Sequence, residues 1–204
     1  MLTRKPADER KTEIVAAMLR LADELGPDRL TTQSVADAVG LSQPAIFRHF
    51  STKRDLWLAV AELIAERLTA AWADVLAASD DPAQRIEGLI LVQLRQIETM
   101  PAIPAILFSR ELQAENDDLR RAVQALMTEL VAALGRELAR GRAAGDFVRD
   151  LPTEQGAFLL VSLVQGLAIR WSLGQRGFSL VEEGRRLLET QLRLFRGSRP
   201  EGKS

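Results

Sequence analysis

The 204-residue chain contains no cysteine and only one histidine. Without cysteine, the sequence can form no disulfide bond, no reactive thiolate and no zinc–thiolate site. A single histidine also excludes a histidine-rich metal site and a Cys–His catalytic pair. We therefore expect neither a bound metal nor a cofactor.

Long apolar runs are also missing. No uncharged apolar run reaches the roughly 20 residues that span a bilayer. The longest candidate, 156–169, contains Ser162 and Gln165 and is followed by Arg170. The amino terminus, Met-Leu-Thr-Arg-Lys-Pro, lacks an apolar signal segment. These absences favour a cytoplasmic, soluble protein with no membrane partner.

The chain has no overall excess of positive charge. Its formal net charge is −1, with a balance of +1 in residues 1–56 and −2 in residues 57–204. This near-neutrality counts mildly against nucleic-acid binding, because dedicated nucleic-acid-binding domains are often strongly basic. The local exception is 41–54, which holds three strong bases and no acidic residue.

Nearly all of the sequence has helical periodicity, with no useful strand alternation, internal repeat or low-complexity stretch. At 47% hydrophobic residues, the chain can bury a sizeable core. The predicted fold is all-α, with an N-terminal three-helix domain in residues 1–56 and a C-terminal helical domain in residues 57–204. A long fourth helix, beginning near Thr52 and ending before the Ser-Asp-Asp-Pro breaker at 79–82, joins them.

Residues 31–50 are typical of two short helices joined by a tight turn. Thr32 is predicted to cap the first helix, and Ser42 the second. Gly40 lies between them, where a left-handed backbone favours glycine. Pro44 suits the first turn of the second helix, since its missing N–H has no helical partner there. A helix-turn-helix uses this arrangement to insert one helix into the DNA major groove.

The outward positions of the second helix carry chemistry that suits DNA. The Gln43 amide can pair with an adenine edge, and Pro44 and Ala45 can touch a thymine methyl group. Arg48 and Lys53 can neutralise phosphates and make binding salt-dependent. A plain helical hairpin is the alternative interpretation of the pattern.

Two aromatic side chains in this segment have simpler alternatives. His49 could be an ordinary surface histidine at a helix end rather than a phosphate contact. Phe47 could be a core aromatic rather than a residue of the DNA face. The sequence does not choose between these roles for Phe47.

Residues 10–64 resemble the DNA-binding domain of the TetR family of bacterial transcriptional regulators, and the chain is identified as a member of that family. The matching residues are Leu30-Thr31-Thr32, Val35-Ala36, Gly40-Leu41-Ser42, Phe47-Arg48-His49-Phe50, Lys53 and Leu56. The resemblance implies that some of these residues contact the DNA backbone and others face base edges. The expected backbone contacts are Thr32, Phe47, His49 and Lys53, and the residues expected at base edges are Gln33, Gln43, Pro44 and Ala45.

The sequence departs from the family pattern at two of these positions. The family usually has tyrosine where this chain has Phe47, so a phenolic hydrogen bond to phosphate is lost. Gln33 stands where the tetracycline repressor has arginine, so the operator need not be the same.

The resemblance also implies that a small effector binds between helices of the second domain. Apolar side chains with a few amides would suit an uncharged or lipophilic molecule, with Arg110 or Arg170 as a possible anchor for a carboxylate. The candidate lining residues are Trp72, Leu89, Gln93, Met100, Phe108, Met127, Phe158, Gln165 and Trp171. Each of them could instead be an ordinary core residue.

The last two predicted helices, in 155–173 and from Leu180 to Phe195, carry apolar residues on more than one face. One face can pack inward, and the other indicates a partner. Pairing with their copies would form a four-helix homodimer interface. A helix buried within its own chain is the alternative. A two-fold dimer also suits a palindromic operator in double-stranded DNA.

We therefore predict a dimeric, ligand-responsive regulator of transcription, by family habit a repressor. Effector binding would tilt the fourth helix and move the two DNA-reading helices out of register with successive major grooves. A DNA-binding protein that binds a protein partner and no small molecule is the main alternative. Catalysis is disfavoured, because a Ser–His–Asp triad would have to use His49.

Overall fold

A computed structural model describes residues 6–197, and that part of the chain contains α-helices and no strand. The all-α prediction is confirmed. The ten helices are α1 Ala7–Leu25, α2 Thr32–Ala38, α3 Gln43–Phe47, α4 Lys53–Ala78, α5 Pro82–Thr99, α6 Ala102–Phe108, α7 Arg110–Glu115, α8 Asp117–Ala144, α9 Thr153–Leu173 and α10 Leu180–Arg196, with a 3-10 turn at Pro27–Arg29.

The helices form two compact units. The first runs to Glu66 and also includes Met100–Ala125, and the second includes Arg67–Thr99 and the chain from Leu126 onward. The first unit is thus larger than the 1–56 segment predicted for DNA binding, because α6 packs against α1 and α7 packs against the 3-10 turn. The division of function at residue 56 stays a prediction.

The first unit has an apolar core made by its N-terminal helices. Ile14 and Met18 of α1, Val35 of α2, Ile46 of α3 and Leu56 of α4 are all fully buried. Burying side chains of this size contributes roughly 1.5–3 kcal/mol each relative to leaving them exposed. The core therefore holds α2 and α3 firmly on α1.

The N-cap of α2 differs from the prediction. Thr31, not Thr32, occupies the capping position: its side chain accepts a hydrogen bond from the Ser34 backbone N–H at 3.1 Å. Ser34 Oγ in turn accepts from the Thr31 backbone N–H, which completes a capping box. Thr32 is the first helical residue and is only 9% exposed.

Thr31→Ala should lower the free energy of unfolding by about 0.5–2 kcal/mol, because the start of α2 loses its capping acceptor. Urea denaturation monitored by circular dichroism measures this change. Thr31→Ser, which keeps the hydroxyl acceptor, is the matched control and should change the stability less. Equal losses in the two variants would contradict the capping role of Thr31.

The turn between α2 and α3 follows the sequence prediction at its centre. Gly40 has a φ of 66°, and the Leu41 N–H donates to the Ala36 carbonyl at 2.9 Å, as in a Schellman-type helix end. Ser42 occupies the N-cap of α3, but its side chain makes no capping hydrogen bond. The predicted N-cap position of Ser42 is therefore confirmed, although the hydroxyl does not cap the helix by a hydrogen bond.

α3 is a short helix, as the sequence predicts. It ends at Phe47, and the hydrogen bonds from the His49 and Phe50 backbone N–H groups to the Ile46 carbonyl close a final turn after the helix. Pro44 lies in the first turn, as predicted.

In the second unit, α5 is the central helix. Its Ile86, Leu89, Ile90 and Leu94 side chains are fully buried, and α9 and α10 pack against it and against each other. Gly184 of α10 sits directly against α5, where a Cβ atom would overlap the Leu94 Cδ1 atom. The missing side chain is what lets α10 approach α5 this closely.

Gly184→Val should lower the free energy of unfolding by about 1–3 kcal/mol, because the added methyl groups overpack the contact with Leu94. Gly166→Val is the matched control, since a Cβ there meets no atom within 4 Å. Urea denaturation at one fixed protein concentration compares the two variants. A Gly184→Val protein as stable as the control would contradict the close packing of α10 on α5.

The C-terminal end of α4 is fastened within the second unit. The Arg85 guanidinium donates to the Leu76 carbonyl at 2.7 Å and to Glu137 Oε1 at 3.3 Å. Glu137 is buried and also accepts from Arg140 Nη1 at 2.7 Å. Since a buried carboxylate needs such partners, Glu137 and Arg85 together fix where α4 ends relative to α5 and α8.

Candidate nucleic-acid interface

The N-terminal half of α3 and the start of α4 form the surface that the sequence marks for DNA. On α3, Pro44 is exposed, and Gln43 and Ala45 are half-buried. Behind them, Ile46 and Phe50 are buried and hold the helix on the first unit. We call the residues Gln33, Gln43, Pro44, Ala45, Phe47, Arg48, His49 and Lys53 the DNA-contact surface.

Four polar side chains in α3, just after it and in the first turn of α4 make no polar contact within the described chain. Within residues 6–197, no hydrogen bond or ion pair engages the side chains of Gln43, Arg48, His49 or Lys53. Arg48 and Lys53 are exposed, and His49 is half-buried. These groups are therefore free to pair with phosphates or base edges without first breaking a contact within the protein.

Gln33 is the exception on the DNA-contact surface. Its Nε2 donates to Asp37 Oδ1 at 2.7 Å, one helical turn further along α2. To pair with a base, Gln33 must first exchange this hydrogen bond. Its role in base recognition stays a prediction.

The structure separates the two interpretations of Phe47. The side chain is 40% exposed, whereas the adjacent Ile46 is fully buried. Phe47 is therefore a surface aromatic next to Arg48 and not a core residue. Thr32, by contrast, is buried, so Thr31 is the exposed residue at the start of α2.

The start of α4 strengthens the positive character of this surface. Thr52 and Asp55 cap the helix reciprocally: the Thr52 backbone N–H donates to Asp55 Oδ2 at 2.9 Å, and the Asp55 N–H donates to Thr52 Oγ1 at 3.1 Å. Lys53 and Arg54 stand exposed in the first turn. The N-terminus of a helix attracts anions through its free N–H groups and its dipole, so a phosphate there meets two cations as well.

The candidate effector residues fall into both units. In the second unit, buried Trp72 donates from Nε1 to Gln93 Oε1 at 3.2 Å, and Gln165 Nε2 lies 3.7 Å from Met127 Sδ. Leu89 is fully buried there. The structure thus pairs Trp72 with Gln93 and, separately, Gln165 with Met127. Their role in lining a ligand pocket stays a prediction.

Of the remaining effector candidates, two are exposed and two are buried. Phe158 is 53% exposed, and Phe108 of the first unit is also exposed. Met100 is buried in the first unit. Trp171 is buried and donates from Nε1 to the Phe178 carbonyl at 3.0 Å.

The two candidate anchors for a carboxylate, Arg170 and Arg110, differ in whether they already have a partner. Arg170 donates to Glu183 Oε1 at 2.8 Å and stacks on the Phe178 ring, so it already has a partner. This hydrogen bond from Arg170 lowers the pKa of the Glu183 carboxyl. Arg110 is exposed at the start of α7. A carboxylate-bearing effector would have to compete with Glu183 for Arg170.

The outward faces of α9 and α10 carry the large apolar side chains that the partner prediction needs. We call this set the apolar outer face: Phe158, Leu159, Ile169, Leu173, Leu187 and Leu194 are all exposed. By length and composition alone α9 could cross a membrane, with a mean hydropathy of 1.5 over 18 residues. Helices in protein cores meet the same criterion, and α9 packs on α5 and α10.

Sequence reasoning missed one cavity in the first unit. It lies among the 3-10 turn, the start of α4 and α7, and Trp57 forms part of its wall. α7 itself was not predicted, so no signal in the sequence could have placed its carboxylates beside α4. Within residues 6–197, no three histidine or carboxylate side chains are grouped to hold a metal ion.

A short helix with free polar side chains at its exposed N-terminal half, braced by two helices and flanked by cations, defines a helix-turn-helix DNA-binding protein. Comparisons with known proteins give the same class. Residues 14–60 match the family described as bacterial regulatory proteins, tetR family, and residues 104–178 match the tetracyclin repressor-like C-terminal domain.

Similar proteins include both curated relatives and solved structures. The nucleoid occlusion factor SlmA of Vibrio atlanticus (strain LGP32) is 30% identical over 141 residues, which are 69% of this chain and 70% of that protein. A TetR transcription regulator from Haloarcula marismortui ATCC 43049 has the same fold, with a TM-score of 0.78 and 23% identity over 91% of this chain and 97% of that one.

A third protein of this fold was solved with a ligand. The transcriptional regulator FadR from Bacillus subtilis was solved in complex with stearoyl-CoA, and it has a TM-score of 0.75 and 16% sequence identity to this chain. The match covers 89% of this chain and 97% of the FadR chain. This chain belongs to the tetR family of bacterial regulatory proteins and is a DNA-binding transcriptional regulator.

Proposed function

We propose that the chain represses transcription as a homodimer that binds a palindromic operator and releases it when a small lipophilic effector binds. The observation that carries the DNA-binding part is the DNA-contact surface, where Gln43, Arg48 and Lys53 are exposed or half-buried and uncommitted. The site of action would be the cytoplasm, where the bacterial chromosome lies. The proposal assigns no catalytic residue.

Base recognition would fall to the N-terminal residues of α3. Gln43 can pair through its amide with an adenine edge, and Pro44 and Ala45 are placed beside it to touch a thymine methyl group. Gln33 would also contact a base edge once its hydrogen bond to Asp37 is broken.

Backbone contacts would come from the cations around α3 and the start of α4. Arg48, His49 and Lys53 can each meet a phosphate. Phe47 lacks the hydroxyl of the family's usual tyrosine, so it would contribute packing against the sugar–phosphate backbone and no hydrogen bond. Thr32 is buried, so its contact with phosphate would be through its backbone N–H at the start of α2.

Lys53→Ala tests the phosphate role directly. Removing one phosphate contact from each subunit should reduce the slope of log Kd against log salt by about one unit per subunit. Fluorescence anisotropy with a labelled DNA duplex at several salt concentrations measures the slope. Arg95→Ala, which removes one exposed positive charge from α5 in the second unit, should leave the slope unchanged. An unchanged slope for Lys53→Ala would reject the phosphate contact.

The homodimer is supported by the apolar outer face. Leu173 is 81% exposed, and Phe158 and Leu159 are each more than half exposed. Large apolar side chains exposed on two helices that pack together are typical of a protein interface. A second copy of α9 and α10 would cover it by an isologous contact, in which the same patch serves on both subunits.

The effector is supported by chemistry and by one similar protein. The second unit carries Trp72, Leu89 and Met127 with the amides of Gln93 and Gln165, which suits an apolar ligand with a few polar atoms. FadR from Bacillus subtilis, which shares this fold, was solved with stearoyl-CoA. α4 runs from the DNA-contact surface into the second unit, so a ligand that favours a different tilt of α4 would shift DNA affinity by its differential binding to the two states.

A second candidate function is suggested by the curated relatives. The name nucleoid occlusion factor, carried by SlmA of Vibrio atlanticus, describes a role other than control of a promoter. The second candidate is a DNA-binding protein that acts through a protein partner and has no small effector. A reporter gene placed behind the bound DNA site separates the two functions: a change in transcription supports the regulator, and unchanged transcription despite bound DNA supports the second candidate.

A further inference from the structure

The first unit contains a cavity of about 410 Å³, and Lys53 is the one wall residue that also belongs to the DNA-contact surface. Its volume lies in the range of small-molecule sites. The wall is formed by Pro27 and Asp28 of the 3-10 turn, by Lys53, Arg54 and Trp57 of α4, and by α7 with the residue after it. All of these elements belong to the first unit, and none of the candidate effector residues lines this cavity.

The cavity is lined by charges that do not pair with one another. Asp28, Glu111 and Glu115 supply three carboxylates, and Lys53 and Arg54 supply two cations. In the described part of the chain, none of these five side chains forms an ion pair. Asp28 alone has a side-chain partner, since it accepts a hydrogen bond from Ser109 Oγ at 2.5 Å.

All five charged side chains are exposed, so water solvates them and a ligand in the cavity can reach them. Here the cations sit on α4 and the carboxylates on the 3-10 turn and α7. The cavity holds them apart, so a ligand with complementary charges could bridge them.

Trp57 adds a hydrogen-bond donor with no partner. Its side chain is 2% exposed, and no acceptor in the described residues meets its Nε1–H. A buried donor without an acceptor is costly to the folded protein. Trp57 also forms part of the wall, so an acceptor on a ligand in the cavity could satisfy this donor.

The walls of the cavity are fixed by Asn116. Its Nδ2 donates to the Arg54 carbonyl at 3.2 Å, and its Oδ1 accepts from the Leu119 backbone N–H at 3.0 Å. One buried side chain thus ties the first turn of α4 to the start of α8. A ligand would therefore meet a site whose backbone is already in place.

We propose that this cavity binds a small zwitterion that carries one carboxylate and two cationic groups, as a basic amino acid does. The carboxylate lies between Lys53 and Arg54 and takes up the Trp57 N–H. The two cationic groups face the carboxylates of Asp28, Glu111 and Glu115. The ligand's net charge of +1 then offsets the excess of one negative charge in the wall.

Isothermal titration of the full chain without DNA tests the site, so the outcome does not depend on the proposed DNA contacts. The probes are L-lysine and L-arginine at matched ionic strength. We expect saturable binding with a Kd below about 1 mM for at least one of them. The double variant Glu111→Gln, Glu115→Gln should weaken that binding at least about tenfold, because two carboxylate partners are lost. Glu129→Gln, at an exposed position of α8 in the second unit, should bind as wild type does.

A second readout locates the ligand. In a ¹H–¹⁵N spectrum, the indole signal of Trp57, assigned with the variant Trp57→Phe, should shift on addition of the bound probe. The indole N–H groups of Trp72 and Trp171 already have acceptors, so their signals should stay.

Three results would overturn the proposal. The first is the absence of saturable binding by both amino acids. The second is equal binding of 1,5-diaminopentane, which lacks the carboxylate, or of L-glutamate, which reverses the charges. The third is binding that shifts the Trp72 or Trp171 signal and leaves that of Trp57 in place.

Discussion

The double variant Phe158→Glu, Leu159→Glu is expected to be a monomer at concentrations where the wild-type chain is a dimer, and to lose most of its operator affinity. Both side chains lie on α9 and are more than half exposed in the single chain. In a dimer through the apolar outer face, the change would bury four carboxylates, and a buried unpaired charge is strongly unfavourable. The dimer should therefore not form.

Loss of the dimer should also weaken DNA binding. In a dimer, binding of the first helix-turn-helix to its half-site raises the effective concentration of the second at the other half-site. Linking contributes roughly 10²–10⁴ in affinity for modules of this kind. Light scattering gives the mass in solution, and anisotropy with operator DNA gives the affinity. The expected loss of affinity is thus at least about 100-fold.

The control for this variant is Phe108→Glu, Leu25→Glu. It makes the same two chemical changes at exposed apolar residues of the first unit, outside the predicted interface. Its mass by light scattering should stay that of the wild type. A dimeric Phe158→Glu, Leu159→Glu protein, or a monomeric wild type at micromolar concentration, would contradict the interface.

Gln43→Ala is expected to weaken operator binding by about 1–3 kcal/mol per half-site, through loss of a bidentate contact to a base. With two half-sites the cost doubles to about 2–6 kcal/mol, which is at least about 30-fold in Kd. The effect should be confined to one base pair in each half-site. At the other positions, the variant should keep the sequence preference of the wild type.

Anisotropy with a set of single-base operator variants measures this change. Gln96→Ala, on α5 in the second unit, is the matched control and should bind every duplex as the wild type does. A Gln43→Ala protein with the full wild-type preference would show that Gln43 does not read bases. Uniform weakening on all sequences would instead assign Gln43 to the DNA backbone.

Much of the fold could be predicted because capping and helix-breaking residues determine the backbone of their immediate sequence neighbours. The turn between α2 and α3 needs a left-handed backbone, which glycine adopts readily, so Gly40 identified this turn in the sequence. Asn116 caps α8, and the breaker at 79–82 ends α4 at Ala78. Each of these depends on a few neighbouring residues, which a sequence displays directly.

The errors arose where two adjacent residues compete for one role. Thr31 and Thr32 can both cap a helix, and the Ser34 side chain, which pairs with Thr31, decides between them. Ser42 has the right type and position for a cap, but its hydroxyl makes no hydrogen bond to the start of α3. Residue type predicts that a cap is possible and does not fix the rotamer that makes it.

The composition of the two units and the cavity beside Trp57 could not be predicted. Both depend on α6 and α7, which belong to the first unit although they lie more than 35 residues beyond α4's first turn. The packing of α6 on α1 joins segments that no local pattern relates. For the DNA-contact surface, the family resemblance and the residue types named the positions, and the structure added which of them are free.

Selection of bound duplexes from a random DNA pool tests the central claim most directly, because it assumes neither an operator nor an effector. The wild-type chain is expected to enrich a palindrome whose half-sites lie about one helical turn, or a multiple of it, apart. The Gln43→Ala protein should lose the preference at one symmetric pair of positions within that palindrome. Enrichment of no sequence, or of a site without two-fold symmetry, would contradict a dimeric helix-turn-helix regulator.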